Sequence, residues 1–278
     1  MRFRRHTLPG ATVRQPVRLM TIFAVIATTL ALPVPADAAL KSTTSKCSSL
    51  VIIGARGSGQ SMSSGSISGF GPEVTGSVKN MVSRIKRTGT YRYVGVSYPA
   101  IPVDRNWTTS KYFASVGKGA KFTMDTVKSI GKSCSSTKFA LIGYSQGASV
   151  MRWAIRDLPS TLQARVLLVG MIADPERRGF NTSPSDIGFV ENYDSGTLYG
   201  SGLLGAGPKM PSGRSRAVVQ FCHKNDNVCN RPGNSGVAVG DWGKVDTKTH
   251  GSFYKTSSTY PKTGLMLYVP LANYGGFR

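Results

Sequence analysis

The 278-residue chain carries 35 lysines and arginines against 13 acidic residues, a formal net charge of +22, with 40% hydrophobic residues. That length and apolar share suffice for one globular core. The charge favours polyanionic contacts, which outside a cell are anionic envelope polymers or a lipid surface rather than nucleic acid; the basic residues are spread along the chain rather than gathered in one run, and a solvated face is the equal alternative to a binding role.

Residues 1–38 read as an export signal: Arg2, Arg4, Arg5, Arg14 and Arg18, then the apolar run Leu19 to Leu32, then Pro33 and Ala36-Asp37-Ala38. The run has 14 residues, whereas spanning a bilayer takes about 20. The general secretory route is expected, because the residues after Arg4-Arg5 match the twin-arginine signal poorly. Removing residues 1–38 takes away five arginines and Asp37 and leaves a net charge of +18. Residues 39–278 then form one domain, secreted or extracellular and possible to retain at the cell envelope, and expected to be a monomer.

Within that domain, short apolar runs alternate with segments of helical period, the pattern of a parallel sheet flanked by helices. Strands are expected at Leu50 to Ala55, Tyr91 to Tyr98, Lys138 to Tyr144, Arg165 to Ile172 and Ala217 to Cys222. Pro72 opens a helix with Val74, Val78, Met81, Val82 and Ile85 on one face. Tyr112 to Ile130 repeats the pattern, weakened by Gly117 and Gly119. A third helix follows Ser145 and closes at Pro159, with Trp153 read as core. From Arg177 to Arg216 the chain is rich in Gly, Ser, Pro and Asn without clear periodicity, as in a functional loop, which could form a lid, or in short unassigned elements. Leu265 to Leu271, broken by Pro270, fits strand or helix equally. The fold class is a three-layer α/β/α sandwich with a central, mostly parallel sheet.

The chemistry concentrates at Gly143-Tyr144-Ser145-Gln146-Gly147, between an apolar strand and a helix. This is the setting of a nucleophile elbow, where glycines two before and two after permit the tight turn. A serine needs a base, and the base needs an orienting acid. His6 leaves with the signal. Of the two that remain, His250 follows the serine in the order such enzymes use, whereas His223 reads as a loop histidine. Asp226, inside Cys222-His-Lys-Asn-Asp-Asn-Val-Cys229, is preferred as the acid; Asp174, before Pro175, reads as a turn residue accepting backbone N–H groups. No metal or nucleotide cofactor is required. The four cysteines, Cys47, Cys134, Cys222 and Cys229, favour disulfides in an exported chain and allow three pairings; a zinc site lacks a CxxC pair.

Taken together, Cys47, Gly54-Ala55-Arg56-Gly57-Ser58-Gly59, Tyr98-Pro99, the Gly143–Gly147 elbow, Cys222-x3-Asp226-x2-Cys229 and His250 make the chain resemble the cutinase family of secreted esterases. The resemblance implies an α/β-hydrolase fold and a catalytic triad of Ser145, Asp226 and His250. It also implies an oxyanion hole built from Ser58 and the Gln146 N–H, and disulfides Cys47–Cys134 and Cys222–Cys229. The substrate would be a carboxylic ester or lipid. The 24 positions from Asp226 to His250 exceed those in small cutin-degrading members and put cutin in doubt. Phe253 and Tyr254 pack the imidazole, line the pocket or serve as core. The rival readings are an acyltransferase or lipase acting on envelope lipids and a non-catalytic envelope-binding protein.

Overall fold

A computed structural model of the chain describes residues 40–104, 106–179, 189–192, 200–231 and 245–278. The expected export signal over 1–38 lies outside them, as do 180–188 and 193–199 of the expected lid segment. Among the described residues, seven strands form one parallel sheet: β1 (Leu40–Ser42), β2 (Leu50–Ala55), β3 (Gly89–Gly95), β4 (Lys138–Tyr144), β5 (Val166–Ile172), β6 (Phe189–Asn192) and β7 (Val218–Cys222), in the order β1-β3-β2-β4-β5-β7-β6. The central strands match the expected runs closely. β3 ends at Gly95, three residues short of the expected Tyr98, and β1 and β6 are additional.

Period-two alternation divides the strands between two cores. Leu50 and Ile52 of β2, Ala140 and Ile142 of β4, and Val219 and Phe221 of β7 face one core, which α1 (Gly71–Val82) and α6 (Tyr260–Gly275) cover. Val51 and Ile53, Phe139 and Leu141, and Val169 and Met171 face the other, covered by α2 (Thr109–Ser133) and α3 (Gln146–Asp157), with the short α4 (Ser160–Gln163) beside them. The result is the expected three-layer sandwich. A last short helix, α5 (Lys248–Ser252), precedes α6.

The undecided run Leu265 to Leu271 is helix. Thr263, Met266, Leu267, Pro270 and Leu271 recur at helical spacing and are buried, and Pro270 does not break α6. In α2, Thr108 caps the N-terminus by accepting the Lys111 N–H at 3.2 Å. Gly119, which weakened the sequence signal, is where α2 meets α3: a Cβ there would lie 2.6 Å from Val150 Cγ2. The opposite face of α2 gathers Lys111, Lys118, Lys121, Lys128 and Lys132, all exposed. At 3.6 residues per turn they fall within an arc of about 100°. Five of the basic residues that look scattered in sequence therefore form a stripe along α2, interrupted by Asp125, which pairs with Lys121 at 2.6 Å. Disulfides join Cys47 to Cys134 and Cys222 to Cys229, the pairing the resemblance implied, and leave no thiolate for zinc. Among the described residues, no helix is long and apolar enough to cross a membrane.

Candidate active site

Parallel strands deliver their loops to one edge, and the site lies there, beyond the C-terminal ends of β2, β4, β5 and β7. Ser145 sits between β4 and α3 with φ +52° and ψ −119°, a backbone conformation costing on the order of 1–3 kcal/mol for a residue with a side chain. The turn closes because its flanks are bare. A Cβ on Gly143 would stand 2.0 Å from the Gly147 carbonyl oxygen, and one on Gly147 would stand 2.2 Å from that of Ala55. Ser145 N–H is tied to Ile172 O at 2.9 Å, anchoring the elbow to β5. Gln146 opens α3, so its N–H is among those the helix leaves without an internal acceptor.

Ser145 Oγ lies 2.9 Å from His250 Nε2, and His250 Nδ1 lies 2.9 Å from Asp226 Oδ2. The structure thus brings together the three residues singled out in the sequence. The imidazole is carried by α5 and stacks on Tyr144, with ring centroids 5.2 Å apart and planes 22° apart. Tyr144 Oη also donates to the His250 carbonyl at 2.6 Å, so the residue before the nucleophile fixes both the ring and the backbone of the base.

Asp226 is fully buried in the loop closed by Cys222–Cys229. Its Oδ2 also accepts the Tyr254 hydroxyl at 2.7 Å, and its Oδ1 accepts the Val228 N–H at 2.9 Å. Burial alone would raise this carboxyl, but the facing His250 charge and the hydrogen bonds from His250, Tyr254 and Val228 outweigh it and hold the group below its ordinary range. Tyr254 therefore orients the acid rather than lining the cleft, while Phe253 packs on His223 with ring centroids 4.3 Å apart. Burial, then the Asp226 charge, pushes the Tyr254 hydroxyl well up, which keeps it a neutral donor.

Ser58 follows β2, and its hydroxyl is buried, lines the cleft and has no hydrogen-bond partner among the described residues. The loop is held instead by Arg56, whose guanidinium donates to Gln60 O at 2.6 Å, Tyr98 O at 2.7 Å and Val96 O at 3.2 Å. The Gln146 side chain is buried, with Oε1 accepting from Ser115 Oγ at 3.0 Å. His223, at the end of β7, is nearly buried and accepts the Asn225 N–H on Nδ1 at 3.1 Å. Asp174 accepts the Glu176 N–H at 2.9 Å as expected of a turn residue, and also forms a fully buried ion pair with Arg152.

Sequence reasoning did not single out Gln60, Glu73, Tyr144 or Arg177 as functional. Arg177 is 1% exposed and donates to the carbonyls of Cys229, at 2.5 Å, and Gly200, pinning the acid loop. A buried arginine gives no signal in a chain already rich in arginine; a cation directly after the Asp174 turn is the only hint available. The cleft over Ser145 has a volume of about 820 Å³. Its lining mixes apolar Val103, Trp107, Val228 and Val245 with Glu73, Asp104 and Lys255, within the size range of small-molecule sites.

The carboxylesterase Culp1 of Mycobacterium tuberculosis is 27% identical over 225 residues, covering 80% of this chain and 87% of the relative. A cutinase of Monilinia fructicola is 25% identical over 186 residues, 66% of this chain and 70% of the relative. Among solved structures, the catalytic core of acetyl xylan esterase from Trichoderma reesei superposes with a TM-score of 0.57 at 18% identity, covering 81% of this chain and 98% of that one. A Trichoderma reesei cutinase in complex with a phosphonate inhibitor gives 0.53 at 17% identity, covering 84% and 81%. At those identities the structural likeness shows the fold. The cutinase family profile matches residues 46–255, and with that match spanning most of the domain, the chain belongs to the cutinase family of carboxylic ester hydrolases.

Proposed function

We propose that the chain is an exported serine esterase that cleaves carboxylic esters through an acyl-enzyme on Ser145. The observation that carries the reading is the unbroken line from Asp226 Oδ2 through both ring nitrogens of His250 to Ser145 Oγ, 2.9 Å at each step. With Asp226 accepting the Nδ1 proton, Nε2 is free to take the proton of the serine as Oγ attacks the ester carbonyl. The carbonyl oxygen becomes an oxyanion, met by the Gln146 N–H and the Ser58 hydroxyl. A hydroxyl without a partner among the described residues suits a group whose acceptor exists only during reaction. The tetrahedral adduct then collapses, the C–O bond to the alcohol breaks, and the alcohol takes the proton from Nε2. Water repeats the steps on the acyl-enzyme, releasing the acid and restoring Ser145.

The two disulfides support an oxidising compartment, consistent with residues 1–38 as an export signal and 39–278 as the mature domain. The lysine stripe of α2 favours contact with anionic envelope polymers, which would place the enzyme at the cell envelope.

Hydrolysis of p-nitrophenyl esters from butyrate to palmitate tests the reading, with Ser145→Ala beside the native protein. Serine-dependent turnover supports it. Phosphonate labelling of the Ser145→Ala variant at the elbow, or no turnover at any chain length, refutes it. Product analysis with a sugar acceptor separates hydrolysis from acyl transfer, because the triad itself does not choose between water and an alcohol.

A further inference from the structure

Because the Ser58 hydroxyl makes no hydrogen bond among the described residues, its position depends on what holds its neighbours. Gly57 N–H donates to Gln60 Oε1 at 2.8 Å, and Gln60 Nε2 donates to Glu73 Oε2 at 2.8 Å. Glu73 lies in the first turn of α1 and is 3% exposed. Gly71, with φ +72°, leaves the space that the amide fills: a Cβ there would stand 2.2 Å from Gln60 Oε1.

An amide side chain can present its oxygen or its NH₂ group to either neighbour, whereas a carboxylate only accepts. Glu73 therefore draws the Gln60 NH₂ toward α1 and turns the amide oxygen toward the Gly57 N–H. With the amide reversed, its NH₂ would face that N–H donor to donor, and the loop would lose its bond. We propose that Glu73 and Gln60 form a positioning relay for the oxyanion loop: the carboxylate sets the sense of the amide, and the amide anchors the backbone from which Ser58 projects. The proposal rests on Ser58 being an oxyanion donor. A relay of this kind acts where charge develops in the transition state, so it controls kcat more than KM.

The test measures kcat and KM with p-nitrophenyl butyrate, together with thermal unfolding, for Ser58→Ala, Glu73→Ala, Gln60→Glu and the double variant Gln60→Glu/Glu73→Gln. In Gln60→Glu two carboxylates face each other. In the double variant the introduced carboxylate accepts from both Gly57 N–H and the introduced amide, so both hydrogen bonds return with the charges exchanged. Each single variant is expected to lower kcat by about 10-fold or more with KM within about twofold, and the double variant to recover to within about threefold of native. Singles that keep native kcat while Ser58→Ala loses it overturn the relay and leave Ser58 in its role. Ser58→Ala with native kcat overturns that role, and the relay with it. Should a single variant fail to fold, the double variant still decides: native stability without recovered kcat overturns the relay.

Discussion

Glu176→Gln should stabilise the protein at neutral pH and leave its stability unchanged in acid. Glu176 is 4% exposed beside the cleft residue Pro175, accepts the Trp153 indole N–H at 3.2–3.3 Å, and sits next to Asp174. Burial, then the Asp174 charge, raises its carboxyl from 4.5 to about 6. A folded value above the unfolded one means that the associated stability is complete below about pH 4.5 and is lost as pH rises through about 6. The loss corresponds to about 2 kcal/mol. The glutamine keeps an acceptor for Trp153 but never ionises, so it escapes that loss. In a domain of this size, Tm at pH 7.5 should rise by about 4–8 °C, with little difference at pH 4. Calorimetry of both proteins from pH 4 to 8 checks this. A difference that does not vary with pH, or a variant less stable at pH 7.5, would refute the argument.

Asp226→Asn should lower kcat by about 10⁴-fold with the fold intact. If the amide oxygen keeps the Val228 N–H, its NH₂ faces His250 Nδ1 and forces the proton onto Nε2, where it can no longer accept from Ser145; activity within tenfold of native would show that the tautomer is set elsewhere. Arg152→Met leaves the Asp174 carboxylate buried without its ion pair and should cost about 3–5 kcal/mol in denaturant unfolding, part of which Asp174→Asn in the same chain should restore. Reversing charge in Lys118→Glu/Lys128→Glu should weaken retention on an anionic polymer and flatten its salt dependence, while kcat/KM on a soluble ester stays native. Equal retention of both proteins would move the contact away from α2.

Legibility in the sequence followed burial. β2, β4, β5 and β7 are buried on both faces, so each reads directly as a largely apolar run, interrupted in β7 only by Gln220, whose amide oxygen accepts from Arg152 at 3.2 Å. β1 and β6 have only three and four residues, too few for any period to register. The run in α6 was ambiguous because a proline within apolar sequence removes one N–H without revealing whether a helix continues around it. At the site, Ser145, Asp226 and His250 stood out because their residue types are rare in combination and their spacing is constrained. Gln60 and Glu73 did not, since a polar residue gives the same signal exposed or buried. Tyr254 could be read as pocket or core; only the fold places its hydroxyl on Asp226.

Charge taken from composition as a property of the surface is partly internal. Arg56, Arg152 and Arg177 are 4%, 0% and 1% exposed, and each serves a different loop at the active edge of the sheet. Such loops have left the strand ladders, so their carbonyls need donors from elsewhere. A guanidinium offers five N–H groups in a fixed plane and can collect several carbonyls at once, which a lysine cannot do with the same geometry. Arg56 gathers Gln60, Val96 and Tyr98 around the oxyanion loop. Arg177 gathers Cys229 and Gly200 around the acid loop. Arg152 ties Asp174, Pro208 and Gln220 behind the nucleophile helix. Burial opposes this use and lowers Arg177 to about 10, still well above neutral pH, so the cation persists in place. The basic composition thus has two physical roles: lysines on α2 face outward, where they can meet polyanions, and arginines beneath the site hold the loops that the parallel sheet leaves unsupported.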